Sequence, residues 1–235
     1  TLDGTLFPYT TLFRSRLAGA RLDAALASAQ AAVPSQAWTV RHWGEVLRTI
    51  LVAQKDSTGY AALCDRTGLS AADCLALATM AEARREPDEA LAWVERGIGL
   101  AGSGQWTSAA SYELAPMRRR LLVQVGRADE AVADAWNAFR ARPSRVAHEE
   151  LMLLVPRAER IAWHARAMDT LDHADLASLI DLLLATKERD RLAERLRATP
   201  DAELERVRHY QTEPAARALA KTAPDVAARV YRAMG

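Results

Sequence analysis

A short phrase occurs twice in this chain, as EPDEALAWVERG at residues 86–97 and as GRADEAVADAWNA at residues 126–138. Each copy opens with a turn, continues through an acidic first helical turn and a Glu-Ala pair, and leads into a helix that carries a tryptophan. The copies lie roughly 40 residues apart, within the range of repeats built from helical hairpins. The doubled phrase therefore predicts antiparallel helix pairs that stack into an α-α superhelix, or solenoid.

The remainder of the sequence is also typical of an all-α protein. Ala, Leu, Arg and Glu dominate it, and these residues are strong helix formers. Ser70 is a good N-cap and Pro87 suits a first helical turn, whereas Pro116 should kink or break its helix and Pro214 should lie close to a helix start. Besides the pair that begins at Ser70 and Pro87, helices are predicted over 16–32, 42–54, 59–66, 108–125, 128–141, 144–155, 157–169, 174–186, 188–198, 201–209, 213–221 and 225–234.

We expect these helices to form one helical-repeat domain over residues 16–235. Within it, residues 16–68 are expected to be irregular N-terminal helices, and residues 69–235 to form clearer hairpins. No linker is long enough, or rich enough in Gly and Ser, to mark a domain boundary, and residues 99–106 are interpreted as a loop between repeats. Connections of about two to five residues favour antiparallel neighbours.

The N-terminal stretch has an unusual character. TLFPYTTLFRS at residues 5–15 resembles the translation of a common sequencing-adapter oligonucleotide in one reading frame. The resemblance implies that residues 1–15 are a non-native scar, and we expect them to be disordered. Because the chain opens at Thr1 without a methionine, and an amphipathic helix begins at Pro224 shortly before Gly235, we expect a fragment truncated at both ends.

Charge and cysteine content limit the classes of function. Thirty-one basic and 30 acidic residues give a formal net charge of +1, whereas a duplex-binding domain usually has a marked basic excess. Cys64 and Cys74 match no zinc spacing and are expected to be reduced, partly buried thiols. No apolar run approaches the ~20 residues of a membrane span, and no signal peptide is visible. We therefore expect a cytoplasmic protein that does not contact a membrane.

The sequence contains no catalytic signature. The run His148–Glu150 is its nearest approach to a metal cluster, but adjacent helical residues point in different directions. Phosphate-binding glycine loops and the Gly-x-Ser-x-Gly motif are absent. We therefore predict no catalytic, cofactor-binding or metal-binding residues. The five histidines form no His-Glu-x-x-His pair and are scattered over the chain: His42, His148, His164, His173 and His209.

Two groups of side chains leave alternatives open. Three of the six tryptophans, Trp93, Trp136 and Trp163, could form an aromatic row for base stacking or peptide binding, although packing between adjacent hairpins is favoured. The run Arg118–Arg120 could bind an acidic peptide or phosphates. A solvated face paired with Glu113 or with a neighbouring repeat is favoured for this run.

The spacing of small residues resembles that of tetratricopeptide repeats. This pattern places small residues where two helix backbones approach closely, and a Pro or Gly where the second helix ends. Its first-helix half is poorly matched, because Arg118 and Arg119 stand where Leu and Gly are usual, so the likeness is to the superfamily. Three copies of the second-helix half match, at Ala90, Val94, Gly97 and Gly102, at Ala131, Ala135, Ala138 and Pro143, and at Ala227, Tyr231 and Met234.

A second likeness covers roughly residues 69–235. The runs at 157–196 and 213–235 resemble the C-terminal helical region of bacterial proteins of unknown function. Some of those proteins carry an upstream SWIM-type zinc finger, which needs a Cys-x-Cys and a later Cys-x-His. Neither motif is present in this sequence, so the likeness implies a fold and no zinc binding.

These observations favour a non-catalytic helical-repeat scaffold that presents a groove to a protein or peptide partner. One alternative is an accessory helical segment of a nucleic-acid-associated zinc-finger protein, which predicts that Arg118–Arg120 join other arginines on one surface. A second alternative is an uncharacterised enzyme domain, which predicts a deep pocket with convergent ionisable groups and shifted pKa values.

Overall fold

The fold was obtained as a computed structural model, which describes residues 7–29, 36–102, 109–171 and 174–234. In these ranges every regular element is a helix, so the all-α prediction is confirmed. The chain forms two compact units, Thr1–Arg127 and Ala128–Gly235, where the sequence led us to expect one domain. None of the described helices is long and apolar enough to cross a membrane.

The described part of the first unit consists of six helices, each in contact with the next along the chain. α4 contacts α5 and also α6, so three consecutive helices pack on one another. Residues 7–15 of the adapter-like stretch lie within α1 and so belong to a helix, whereas we expected them to be disordered. The helices are α1 Phe7–Ala29, α2 Gln36–Gln54, α3 Ser57–Thr67, α4 Ala71–Ala83, α5 Pro87–Gly102 and α6 Ala109–Gln124.

The second unit contains eight helices in its described part, with a 3₁₀ turn at Arg157–Glu159. α10 contacts both α8 and α13. α11 contacts α10, α13 and α14. Phe139, Leu151 and Leu182 are fully buried in the shared core. The helices are α7 Ala128–Ala141, α8 Arg145–Leu154, α9 Arg160–Met168, α10 Leu176–Thr186, α11 Arg189–Ala198, α12 Asp201–Leu204, α13 His209–Leu219 and α14 Pro224–Ala233.

The observed helices differ from the predicted ones at several places, and two of these differences occur at prolines. α6 continues unbroken through Pro116, and α13 begins at His209, so that Pro214 lies inside the helix. Each proline removes the hydrogen bond to the carbonyl four residues earlier. These carbonyls belong to Tyr112 and Tyr210, and both residues are exposed. The helix predicted over 201–209 ends at Leu204, because Arg208 takes an extended conformation to begin α13.

Gly97 of α5 lies at a close approach between helices of the first unit. A Cβ atom on this residue would lie 2.8 Å from the Cβ of Cys74 in α4 and 2.9 Å from a Cδ of Leu114 in α6. The neighbouring helices therefore leave no room for a side chain at this position. Ala138, in the second copy of the pattern, is exposed and marks no such crossing.

A buried carboxylate joins α2, α3 and α4. Asp73 forms an N-terminal capping box with Ser70, the predicted N-cap. It also accepts hydrogen bonds from Arg48 Nε at 2.6 Å and from the Tyr60 hydroxyl at 2.9 Å. Burial alone would raise the pKa of Asp73, but the hydrogen bonds from Ser70, Arg48 and Tyr60 outweigh it and hold the pKa below its ordinary value.

Both cysteines of the described chain are free and buried, as predicted. Burial raises the pKa of the Cys64 thiol to about 11, and the nearby Asp73 carboxylate raises it further. Burial also raises the pKa of Cys74. Because thiolates are the reactive form, the raised pKa values keep both groups mainly in the less reactive thiol form at neutral pH.

Candidate functional site

An open groove lies on the second unit, over α8, the beginning of α9, and α10. Its volume is about 740 Å³. Leu153 of α8 and Ile161 of α9 line it while remaining 77% and 85% exposed. Met152, Leu182 and Ala185 add to its apolar lining. The groove therefore presents apolar side chains from three helices to solvent.

The sequence of α8, RVAHEELMLL, explains why this surface is apolar. Leu151 is fully buried in the core of the unit, whereas Val146 and Leu153 point away from it and are highly exposed. A helix with one apolar stripe would satisfy its packing by burying that stripe alone. α8 carries apolar residues on further sides, and an exposed patch of this kind marks an interaction site more often than a single exposed residue does.

Two histidines that line the groove, His148 and His164, form a chain of three polar side chains with Glu188. His148 Nε2 is 3.0 Å from His164 Nδ1, and His164 Nε2 is 3.0 Å from Glu188 Oε1. An ionised carboxylate can only accept, so with neutral imidazoles His164 donates from Nε2 to Glu188 and accepts at Nδ1 from His148. Every hydrogen bond in the chain is then satisfied by a single choice of tautomers.

Local structure positions the members of this chain on three different helices. Lys187 ends α10 in the left-handed region, with φ 64°, and this turn places Glu188 at the start of α11. Arg191 lies 3.7 Å from the Glu188 carboxylate. The His148 ring packs edge-on against Phe139, with ring centroids 6.1 Å apart. The His148 end of the chain is therefore held by packing on the core, and the Glu188 end is held by the ion pair with Arg191.

Two imidazoles and a carboxylate in a hydrogen-bonded row can relay a proton. These three side chains include no hydroxyl or thiol that could act as a nucleophile. Burial lowers the pKa of His148, and the neighbouring His164 lowers it further, so His148 is neutral at pH 7. Thr186, a hydroxyl in the groove lining, donates to the carbonyl oxygen of Leu182. Among the described residues, no group of three or more His, Cys, Asp or Glu could hold a metal ion.

Acidification should destabilise the second unit through His148. The pKa of His148 in the fold lies below its ordinary value of 6.5, so the unfolded chain takes up this proton first. The stability that neutral His148 contributes is present above about pH 6.5 and is lost as the pH falls through the folded pKa. Urea unfolding at pH 7 and pH 5 measures the loss, and His148→Gln should reduce the difference between the two conditions. An equal difference in the variant and the parent would refute this assignment.

Glu149 and the remaining histidines do not join the chain of His148, His164 and Glu188. Glu149 pairs with Arg145 at 2.7 Å, and both of these residues also line the groove. His42 stacks on Trp38 in the first unit, and His209 begins α13. His173 lies outside the described residues.

The tryptophans are distributed between the two units. Trp93 lies in the first unit and packs beside the cluster of Tyr60 and Cys64. In the second unit, Trp136 and Trp163 meet edge to face with centroids 5.5 Å apart, and the Arg166 guanidinium lies over both rings. Trp136 is buried, so this pair packs α7 against α9.

The arginines of the run Arg118–Arg120 have three different surroundings. Arg118 lies 3.5 Å from Glu95 of α5, and Arg120 binds Glu82 of α4 at 2.9 Å. Arg119 is buried. The run therefore does not present three guanidinium groups to one ligand.

Sequence reasoning missed the groove and the histidine chain. Leu153 and Ile161 look like ordinary core positions in a helical sequence, and only the packing of α8 on its neighbours shows that they remain exposed. His148, His164 and Glu188 are far apart in sequence, and no spacing rule relates them.

The chain matches no protein-family model, no curated protein and no solved structure.

Proposed function

We propose that this protein is a non-catalytic, cytoplasmic helical-repeat scaffold for protein-protein interaction, built from tetratricopeptide-like hairpins. The groove over α8, α9 and α10 receives a segment of the partner. The observation that carries the proposal is the exposure of Leu153 and Ile161 on facing helices of one groove. Burying two large aliphatic side chains against a partner is favourable by about 1.5–3 kcal/mol for each fully covered side chain.

The repeat architecture is supported by features inside each unit. In the first unit α4 contacts both α5 and α6, and Gly97 lies at their common crossing. In the second unit α8, α10 and α13 contact in succession. Helices that follow one another in this way form a layer, and layers of this kind line the binding surfaces of helical-repeat proteins.

Two observations favour the scaffold over the alternatives. The pairing of Arg118 and Arg120 with glutamates counts against a nucleic-acid surface at this run. The groove has a shifted histidine, His148, but Thr186 is engaged with the helix backbone, so the nucleophile that hydrolytic chemistry needs is not evident there.

Selection from a library of random 16-residue peptides displayed on phage tests the proposal. We expect peptides with paired apolar residues to be enriched, and the double variant Leu153→Glu/Ile161→Glu to bind them at least tenfold more weakly. Charged side chains at these positions would have to be desolvated against an apolar peptide surface.

The matched control is Val146→Glu, which changes an exposed apolar residue of the same helix that does not line the groove. This variant should bind the selected peptides as the parent does. Failure to enrich any peptide would contradict the proposed function. Peptides that bind the parent and the double variant equally would place binding outside the groove.

A further inference from the structure

Within the described part of the chain, the groove contains one guanidinium that has no carboxylate partner. Arg160 is the first residue of α9 and lines the groove. Its Nε donates to the carbonyl oxygen of Val155 at 3.2 Å, which ties the side chain to the end of α8. Within the described chain its two terminal nitrogens have no partner. The side chain is thus oriented by the protein while its planar donor edge remains available.

The other arginine and the glutamate that line the groove are paired with each other. Arg145 binds Glu149 at 2.7 Å and also lies 4.0 Å from Asp181. Glu159, the neighbour of Arg160 in sequence, does not line the groove and accepts a hydrogen bond from the Trp163 indole at 3.2 Å. The charge without an oppositely charged partner in the described groove lining is therefore positive, and it lies beside the exposed apolar residue Ile161.

We propose that the partner segment carries an aspartate or glutamate beside its apolar residues, and that Arg160 binds this carboxylate. This inference rests on the proposed function and specifies the chemistry of the ligand. The terminal nitrogens of a guanidinium match the two oxygens of a carboxylate, and Arg is the residue best suited to such bidentate contacts. The apolar residues of the segment then lie against Leu153 and Ile161.

The position of Arg160 strengthens this ion pair relative to a pair in open water. Fully exposed pairs contribute little to binding because water and salt screen them. A partner that covers Ile161 also excludes water from one side of Arg160, and attraction between charges rises as the surrounding dielectric falls. Since Val155 already holds Nε, less side-chain freedom is lost on binding.

The phage-selected peptides provide the probe. Their C-termini are fused to the coat protein, so that only side-chain carboxylates can contribute. We expect an Asp or Glu to be enriched at a fixed distance from the apolar pair. Arg160→Gln should weaken binding of such a peptide about tenfold, and the same peptide with its acidic residue changed to the amide should bind parent and variant alike.

Two further variants separate a specific contact from general charge. Arg157→Gln removes an exposed arginine of the preceding 3₁₀ turn that does not line the groove, and it should leave affinity unchanged. Arg160→Lys keeps the charge but loses the planar fork, and it should recover only part of the affinity. Thermal unfolding of each variant would verify that the fold is retained.

Different failures have different meanings. If peptides bind through Leu153 and Ile161 but lack an enriched acidic residue, or bind Arg160→Gln as tightly as the parent, the carboxylate inference is wrong and the scaffold proposal stands. If no peptide is enriched, both are wrong. An equal loss with Arg157→Gln and Arg160→Gln would indicate unspecific attraction, and it would likewise overturn the assignment to Arg160.

Discussion

Replacing Asp73 with alanine should lower the free energy of unfolding of the first unit by about 3–5 kcal/mol, enough to unfold a marginally stable unit. The carboxylate is buried and accepts hydrogen bonds from Arg48, Tyr60 and Ser70. Its loss leaves the Arg48 guanidinium partly buried without its closest anion, and it also removes the N-cap interaction of α4. The cost arises mainly from the uncompensated charge.

Urea unfolding followed by circular dichroism measures this loss. The matched control is Asp56→Ala, which removes an exposed N-cap carboxylate of α3 in the same unit and should cost about 1 kcal/mol. The double variant Arg48→Met/Asp73→Ala should be less destabilised than the sum of its single variants, because the orphaned charge is gone. Equal losses for Asp73→Ala and Asp56→Ala would show that Asp73 acts as a cap alone.

Gly97→Leu should destabilise the same unit by about 3 kcal/mol or more. Even a methyl group at this position meets the Cβ of Cys74 at 2.8 Å and a Cδ of Leu114 at 2.9 Å. The Cys74 Cβ is fixed to its backbone and cannot rotate away, so α4 and α5 must move apart. Such a shift would disturb the contacts of both helices with α6.

The chain contains its own control for this substitution. Gly99 lies two residues further along α5, and a Cβ there would have nothing within 4 Å. Gly99→Leu should leave stability unchanged or raise it by about 0.5–1 kcal/mol, because leucine is a better helix former than glycine. Thermal melts of the two variants make the comparison. A similar effect of both substitutions would disprove the close approach at Gly97.

Local signals in the sequence predict most of the helices, and Ser70 is recognisable as an N-cap because Asp73 of the first helical turn is close in sequence. The start of α13 at His209 differs from the predicted start at residue 213, because the sequence rule places proline at a helix start, whereas the structure has Pro214 inside the helix. Local chemistry alone does not reveal whether a helix continues upstream of a proline.

Contacts between side chains on different helices, including those of the candidate site, could not be predicted from the sequence because the residues involved are far apart along the chain. The Asp73 network joins residues from three helices, and only the Ser70–Asp73 part has a sequence signature. His164 meets Glu188 because the left-handed Lys187 turns the chain between α10 and α11, and a lysine in that conformation has no sequence signal. The exposure of Leu153 similarly depends on what its neighbours leave uncovered.

The anchoring of α9 bears on how the groove would bind a partner. Its C-terminal half contributes Ala167 and Met168 to the core, and its groove-facing half is tied to the rest of the unit through the hydrogen bonds of Arg160 and His164 and through the contact of Trp163 with Trp136. Displacing this half would stretch those hydrogen bonds and would also separate the two indole rings. The proposed binding groove therefore has walls of fixed spacing, and we expect it to select partner segments by their thickness.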